Sequence, residues 1–195
     1  GNVYGILGPN GSGKSTTLGI ILNVVNKTSG EFSWFNGKLS THQALKKVGA
    51  IIERPNFYPY MTAVQNLSLI CKIKDISTEK IDEKLKIVNL YERRNSKFST
   101  FSLGMKQRMA IASALLNDPE ILILDEPTND LDLETMDLLT DMLTNYRGTL
   151  LIVSHDRDFV QGLCEKIISF KEREVKPFLG DINAYLEFQK LSSLK

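Results

Sequence analysis

Gly8-Pro9-Asn10-Gly11-Ser12-Gly13-Lys14-Ser15 is the stretch whose reading decides the fold. It follows Val3-Tyr4-Gly5-Ile6-Leu7, an apolar run that reads as a buried strand, and it opens a helix over residues 14–24. A strand, a glycine-rich turn and a helix in direct succession gather backbone N–H groups around one point. Glycines let those groups converge with no side chain in the way. The helix start adds partial positive charge and so favours an anion. Within the pattern G-x-x-x-x-G-K-[ST], Lys14 reaches toward β- and γ-phosphates and the Ser15 hydroxyl can ligate Mg²⁺. Gly8, Asn10, Gly11, Ser12, Gly13, Lys14, Ser15 and Thr16 are therefore the candidate phosphate-binding residues.

Outward from this loop the chain alternates. Residues 32–35 read as a short strand closed by the turn pair Asn36-Gly37, and residues 48–52 as an apolar strand. Residues 62–117 change character. Val64, Leu67, Ser68 and Cys71 share one helical face, and Ile81, Leu85, Val88 and Leu90 repeat near helical spacing. Ser77-Thr78-Glu79-Lys80 offers a capping start to the second helix, and a third spans about 104–116 and stops at Asp118-Pro119, because proline disfavours helix in the residue before it. Strands then follow at 121–124, 149–153 and 167–170, with helices at 134–146, 157–163 and 182–191. Apolar strands alternating with helices predict an α/β fold of the P-loop NTPase kind. Its sheet is mostly parallel, and an all-helical subdomain over about 62–117 is inserted into a core of about 1–61 and 118–195. A strand at the first residues of a sheet protein implies partners earlier in the sequence, so an N-terminal segment is expected to precede Gly1.

Ile121-Leu122-Ile123-Leu124-Asp125-Glu126 ends a buried strand on two carboxylates, at the sheet edge where open α/β folds bind ligands. Asp125 is the candidate magnesium ligand, and Glu126 the general base for an attacking water. His155 follows the strand at 149–153 and would reach the same edge, where it is the candidate γ-phosphate contact. His42 has no such setting and reads as a surface residue.

Bulk properties narrow the class. The 195 residues suit one domain, and 42% hydrophobic with 24% charged residues describe a globular chain. The net charge of +1 gives no electrostatic case for nucleic acid, and no nucleic-acid motif is present. Cys71 and Cys164 lack the spacing of a metal site or a disulfide framework and read as reduced thiols of a cytoplasmic protein. No apolar run approaches the roughly 18 residues of a membrane span, and no export leader opens the chain.

These residues together resemble the ATP-binding cassette (ABC) ATPases, over essentially the whole chain. Phe101-Ser102-Leu103-Gly104-Met105-Lys106-Gln107 stands where that family carries its signature, Pro127-Thr128-Asn129-Asp130-Leu131-Asp132 looks like its D-loop, and His155 like its switch histidine. The resemblance implies ATP hydrolysis with Mg²⁺ by two cassettes facing head to tail, as a homo- or heterodimer. Ser102 and Gly104 of one would then cap ATP held on the phosphate loop of the other, and Asp132 would cross the interface. A γ-phosphate needs charge neutralisation from more sides than one loop supplies, which agrees with a contribution in trans.

The sequence departs from the family pattern in places. Glu53 replaces the usual Q-loop glutamine and can still offer an oxygen to Mg²⁺ or to the water. Leu103 stands where glycine is usual. The aromatic residue that stacks on adenine in the family lies upstream of the phosphate loop and has no counterpart here, since Tyr4 sits on the strand beneath the loop. With Phe57-Tyr58, these features make residues 1–128 resemble the ATPase subunits of bacitracin and lantibiotic exporters. Residues 129–195, including Val153-Ser154-His155-Asp156-Arg157-Asp158-Phe159 and Gly180-Asp181-Ile182-Asn183-Ala184-Tyr185-Leu186, resemble the ABC-F proteins instead. The first likeness implies an exporter ATPase working with a separate membrane permease at the cytoplasmic face. The second implies a soluble ATPase acting on the ribosome.

Overall fold

The structure is a computed structural model that describes residues 2–52, 56–129, 131–171, 174–178, 183–185 and 187. In chain order the elements are β1 (Val3–Leu7), α1 (Lys14–Ile21), α2 (Thr41–Leu45), β2 (Val48–Ile51), α3 (Ala63–Lys74), α4 (Ile81–Ile87), α5 (Leu103–Ala114), β3 (Ile121–Asp125), α6 (Leu133–Thr144), β4 (Thr149–Val153), α7 (Arg157–Leu163), β5 (Lys166–Lys171) and β6 (Glu174–Phe178). The strands form one six-stranded sheet in the order β2-β3-β4-β1-β5-β6. All neighbouring pairs are parallel except β5 and β6. Parallel pairing puts the carboxyl ends of β1, β3 and β4 on one edge, and β4 lies between the other two. The phosphate loop, the acidic pair and His155 thus leave the sheet side by side.

Alternation along the strands explains why both faces are covered. Leu122, Leu124, Leu150 and Ile152 point to one face and join a core with Met109, Ile111 and Leu139 of α5 and α6. Ile6, Ile123 and Val153 point to the other face and pack with Leu18 of α1. The first core continues into α3 and α4 through Leu67, Cys71, Ile81, Leu85 and Val88. Gly49 lets α5 approach β2, because a Cβ there would collide with the Ala114 carbonyl oxygen and come within 2.9 Å of Pro119.

Helix starts follow their caps. Ser40 with Gln43 and Thr62 with Gln65 form reciprocal capping boxes at α2 and α3, neither of them anticipated from the sequence. Ser102, Asp132 and Asp156 cap α5, α6 and α7. The expected cap in residues 77–80 is not one. The Ser77 hydroxyl accepts the Glu79 N–H inside the turn, and α4 starts after Lys80 with no side-chain cap. The strand expected at 32–35 is also absent. Only Trp34 pairs, in a single bridge to Leu39, because Phe35 and Asn36 take positive φ angles of 50° and 55° and turn the chain back.

Strand β6 is a further element that the sequence reading lacked. Pro177 is tolerated there because the strand lies at the sheet edge. Of the helix expected at 182–191, residues 183–185 and 187 are helical, and the others lie outside the described residues.

Away from the nucleotide edge, polar ties join the helical segment to the sheet. Lys80 and Lys84 both bond Asp118, and Asn117 donates to the Lys46 carbonyl. Burial acts to raise the Asp118 pKa, but the two lysines outweigh it and hold the carboxyl below its ordinary value.

Candidate active site

The phosphate loop divides its glycines between two jobs. Gly11 and Gly13 have φ of 77° and 95°, and a Cβ on either would meet nothing within 4 Å. Those two supply the left-handed backbone that turns the loop. Gly8 has a different reason. A Cβ there would come within 2.6 Å of the Phe170 carbonyl oxygen and 2.9 Å of Ser12 Oγ. It is a packing glycine where β1 leaves beside β5, and it does not line the cavity above the loop. Gly13 caps α1 in the left-handed conformation, so the first turn of α1 opens directly at the loop.

That cavity measures about 490 Å³ and is lined by Asn10, Gly11, Gly13, Lys14, Ser15 and Thr16 from the loop, with Glu126, Asn129, Val153 and His155 from the β3 and β4 ends. Lys14 is 8% exposed. Its ammonium donates to the carbonyls of Gly8 at 2.9 Å and Pro9 at 3.1 Å. A lysine so held is pre-positioned, since its chain entropy is already spent before any phosphate arrives.

Glu126 and His155 face each other directly. Glu126 Oε1 lies 3.2 Å from His155 Nε2, and Oε2 accepts the His155 backbone N–H at 3.1 Å. Glu126 leaves the strand with φ of 49°, its own N–H bonded to the Val153 carbonyl at 2.7 Å. The left-handed turn aims the carboxylate sideways at the β4 end rather than along the sheet. The hydroxyls of Thr128 and Ser154 meet at 3.2 Å and hold the two loops together.

Asp125 is 7% exposed, and its Oδ1 finds no hydrogen-bond partner among the described residues. A buried carboxylate oxygen without a donor is costly, and it suits a cation. The described residues contain no cluster of three or more His, Cys, Asp or Glu that could cage a metal. Mg²⁺ does not need one, since it is commonly held by one or two carboxylates plus substrate phosphates and water. The unpaired Asp125 oxygen fits such an ion, and Ser15, in the cavity lining, remains the other expected ligand.

Six of the described sequence-derived site residues are absent from the cavity lining: Gly8, Ser12, Ser102, Gly104, Asp125 and Asp132. Ser102 caps α5 by accepting the Met105 N–H at 3.3 Å, and Gly104 lies in the first turn of that helix. Neither belongs to the cavity lining. Asp132 accepts the Thr135 N–H at 2.8 Å as the cap of α6, and its Oδ2 fills the space a Gly104 Cβ would need, at 2.5 Å. Its carboxylate thus answers the free N–H groups of its own helix start rather than a nucleotide in the same chain. Glu53 lies outside the described residues. Asn129 lines the cavity although the sequence reading gave it no role, and only its place just after the acidic pair hinted at one.

A family model described as ABC transporter matches residues 1–129. The chain belongs to the ABC transporter ATP-binding family. The bacitracin transport ATP-binding protein BcrA of Bacillus licheniformis is 41% identical to it, over 97% of this chain and 66% of that protein. The lantibiotic transport ATP-binding protein SrtF of Streptococcus pyogenes is 38% identical, over 97% of this chain and 88% of that protein. A dimeric ATP-binding cassette, solved in a post-hydrolysis state with ADP and phosphate, superposes with a TM-score of 0.74. It is 31% identical, over 92% of this chain and 86% of that one. The chain spans 52% to 66% of the length of five of the curated ABC relatives it matches. Both antimicrobial-peptide transport relatives extend through the final third of the chain. That is the part whose wording suggested a ribosomal ABC-F protein, a reading that finds no support in these relatives.

Proposed function

We propose that the chain binds and hydrolyses ATP as the nucleotide-binding cassette of an exporter for antimicrobial peptides. One observation carries this reading. Glu126 and His155, in mutual contact, line the same cavity as Lys14 and the open turn of Gly11 and Gly13. The loop amides and Lys14 hold the β- and γ-phosphates. Glu126 takes the proton of the attacking water, and His155 orients Glu126 and meets the γ-phosphate. Mg²⁺, held by Asp125 and Ser15, would offset charge on the phosphate oxygens when bound. Glu53 would offer a further oxygen to that ion or to the attacking water.

The signature residues lie outside this cavity, so Ser102 and Gly104 serve a second cassette, with Asp132 beside them. The relatives' names support a separate membrane permease as the further partner and the cytoplasmic face of a membrane as the place of work. Residues 62–117 form the helical subdomain that meets it. No helix among the described residues is long and apolar enough to cross a membrane.

Phosphate release from ATP by the purified chain tests the reading. Release should require Mg²⁺ and stop on its chelation. Lys14→Met should abolish nucleotide binding, measured by fluorescent-ATP titration, while the protein stays folded. A Lys14→Met protein that binds ATP like the parent refutes the site.

A further inference from the structure

Gln107 lies on α5, a helix that contributes no residue to the cavity lining, yet it bonds the segment that carries the base. Its Nε2 donates to the Asn129 carbonyl at 2.9 Å. Asn129 N–H in turn donates to the Glu126 carbonyl at 3.3 Å, and Asn129 lines the cavity beside Glu126. The segment is held at its other end by the Glu126 N–H on Val153 and by the Thr128 and Ser154 hydroxyls. Residues 126–129 thus form a short loop pinned to β4 on one side and to α5 on the other. Glu126 keeps its left-handed φ of 49° inside that loop, a conformation a glutamate adopts only when its surroundings impose it. Gln107 Oε1 is buried and finds no donor among the described residues, so the side chain is tied to the loop through its Nε2.

We propose that Gln107 is a positioning residue for hydrolysis: its bond to the Asn129 carbonyl fixes the loop that aims Glu126, and it makes the placement of the base depend on the placement of α5. The inference rests on the proposed ATPase reading. It adds a direction of coupling. The start of α5 carries Ser102 and Gly104, which serve the facing cassette. A shift of α5 on engagement of that cassette is delivered through Gln107 to the base of its own chain. Loss of Gln107 does not undock α5, because Arg108 still pairs with Glu134 at 3.2 Å and Asp132 still packs on Gly104.

The test compares Gln107→Met and Gln107→Glu with the parent in the full chain. Both remove the donor, and the second keeps the shape. The turnover number should fall about five- to tenfold, the equivalent of one net hydrogen bond lost from the transition state. ATP affinity should stay within about twofold, since no phosphate ligand changes. The deficit of Gln107→Glu relative to the parent should narrow as pH falls, because a protonated carboxyl again donates to the carbonyl. Amide hydrogen exchange at Glu126 and Asn129 should quicken in both variants. This last readout needs no turnover, so it decides the point even if the parent proves inactive, in which case the ATPase reading has failed separately. Unchanged exchange at those amides, an unchanged turnover number, or a parallel loss of affinity and melting temperature overturns the proposal.

Discussion

Glu126→Gln isolates the chemistry of the base from its architecture. The glutamine keeps an oxygen to accept the His155 N–H, now at 3.1 Å from Oε2, and presents its amide to His155 Nε2, now 3.2 Å from Oε1. Neutral imidazole accepts that N–H, so the pairing survives without the proton-accepting carboxylate. His155 is 58% exposed and Glu126 21% exposed in their side chains, so an ion pair between them is worth about 0–1 kcal/mol. In a chain of this size that moves the melting temperature by at most about 4 °C. General base catalysis contributes about 10²- to 10⁴-fold, and hydrolysis should fall by that factor. ATP affinity should change little, because the loop amides and Lys14 are untouched. Thermal denaturation, phosphate-release kinetics and fluorescent-ATP titration measure these three quantities, and light scattering should show the variant accumulating as an ATP-bound dimer. A rate within twofold of the parent would refute the assignment of Glu126, and a large loss of affinity would show that its role is in binding.

Other outcomes follow from the rest of the structure. Asp118 has a folded-state pKa held below its ordinary value of 3.8 by Lys80 and Lys84, against the opposing effect of burial. A lowered carboxylate pKa adds stability that is complete above the ordinary value and lost as pH falls through the folded one. Asp118→Asn should therefore lower the melting temperature at neutral pH and leave it unchanged in strong acid, as read by thermal denaturation across pH. Gly49→Ala drives a methyl into the Ala114 carbonyl and Pro119, so it should cost about 1–3 kcal/mol by overpacking. Urea unfolding checks this, and parent-like stability would mean that α5 sits farther from β2.

Much of the site was legible before any coordinates. The phosphate loop, the strand ending in Asp125-Glu126 and the strand before His155 carry their meaning in local pattern, because a parallel sheet sends every such strand end to one edge. The helical faces of α3 and α4 were equally plain, since burial repeats at helical spacing. Where the reading failed, the cause was competition between neighbours. Phe32 and Trp34 look like a strand, but the positive φ at Phe35 and Asn36 reverses the chain.

Other features depend on which distant segment a residue meets. Gly8 matters for its contact with Phe170, Asp132 for its place against Gly104, and Gln107 for its bond to Asn129 across 22 residues of chain. Local chemistry written in short motifs was thus decided by the amino-acid order alone. The coupling of those motifs was decided by packing, because a hydrogen bond between separate elements exists only once a common core has brought them within reach.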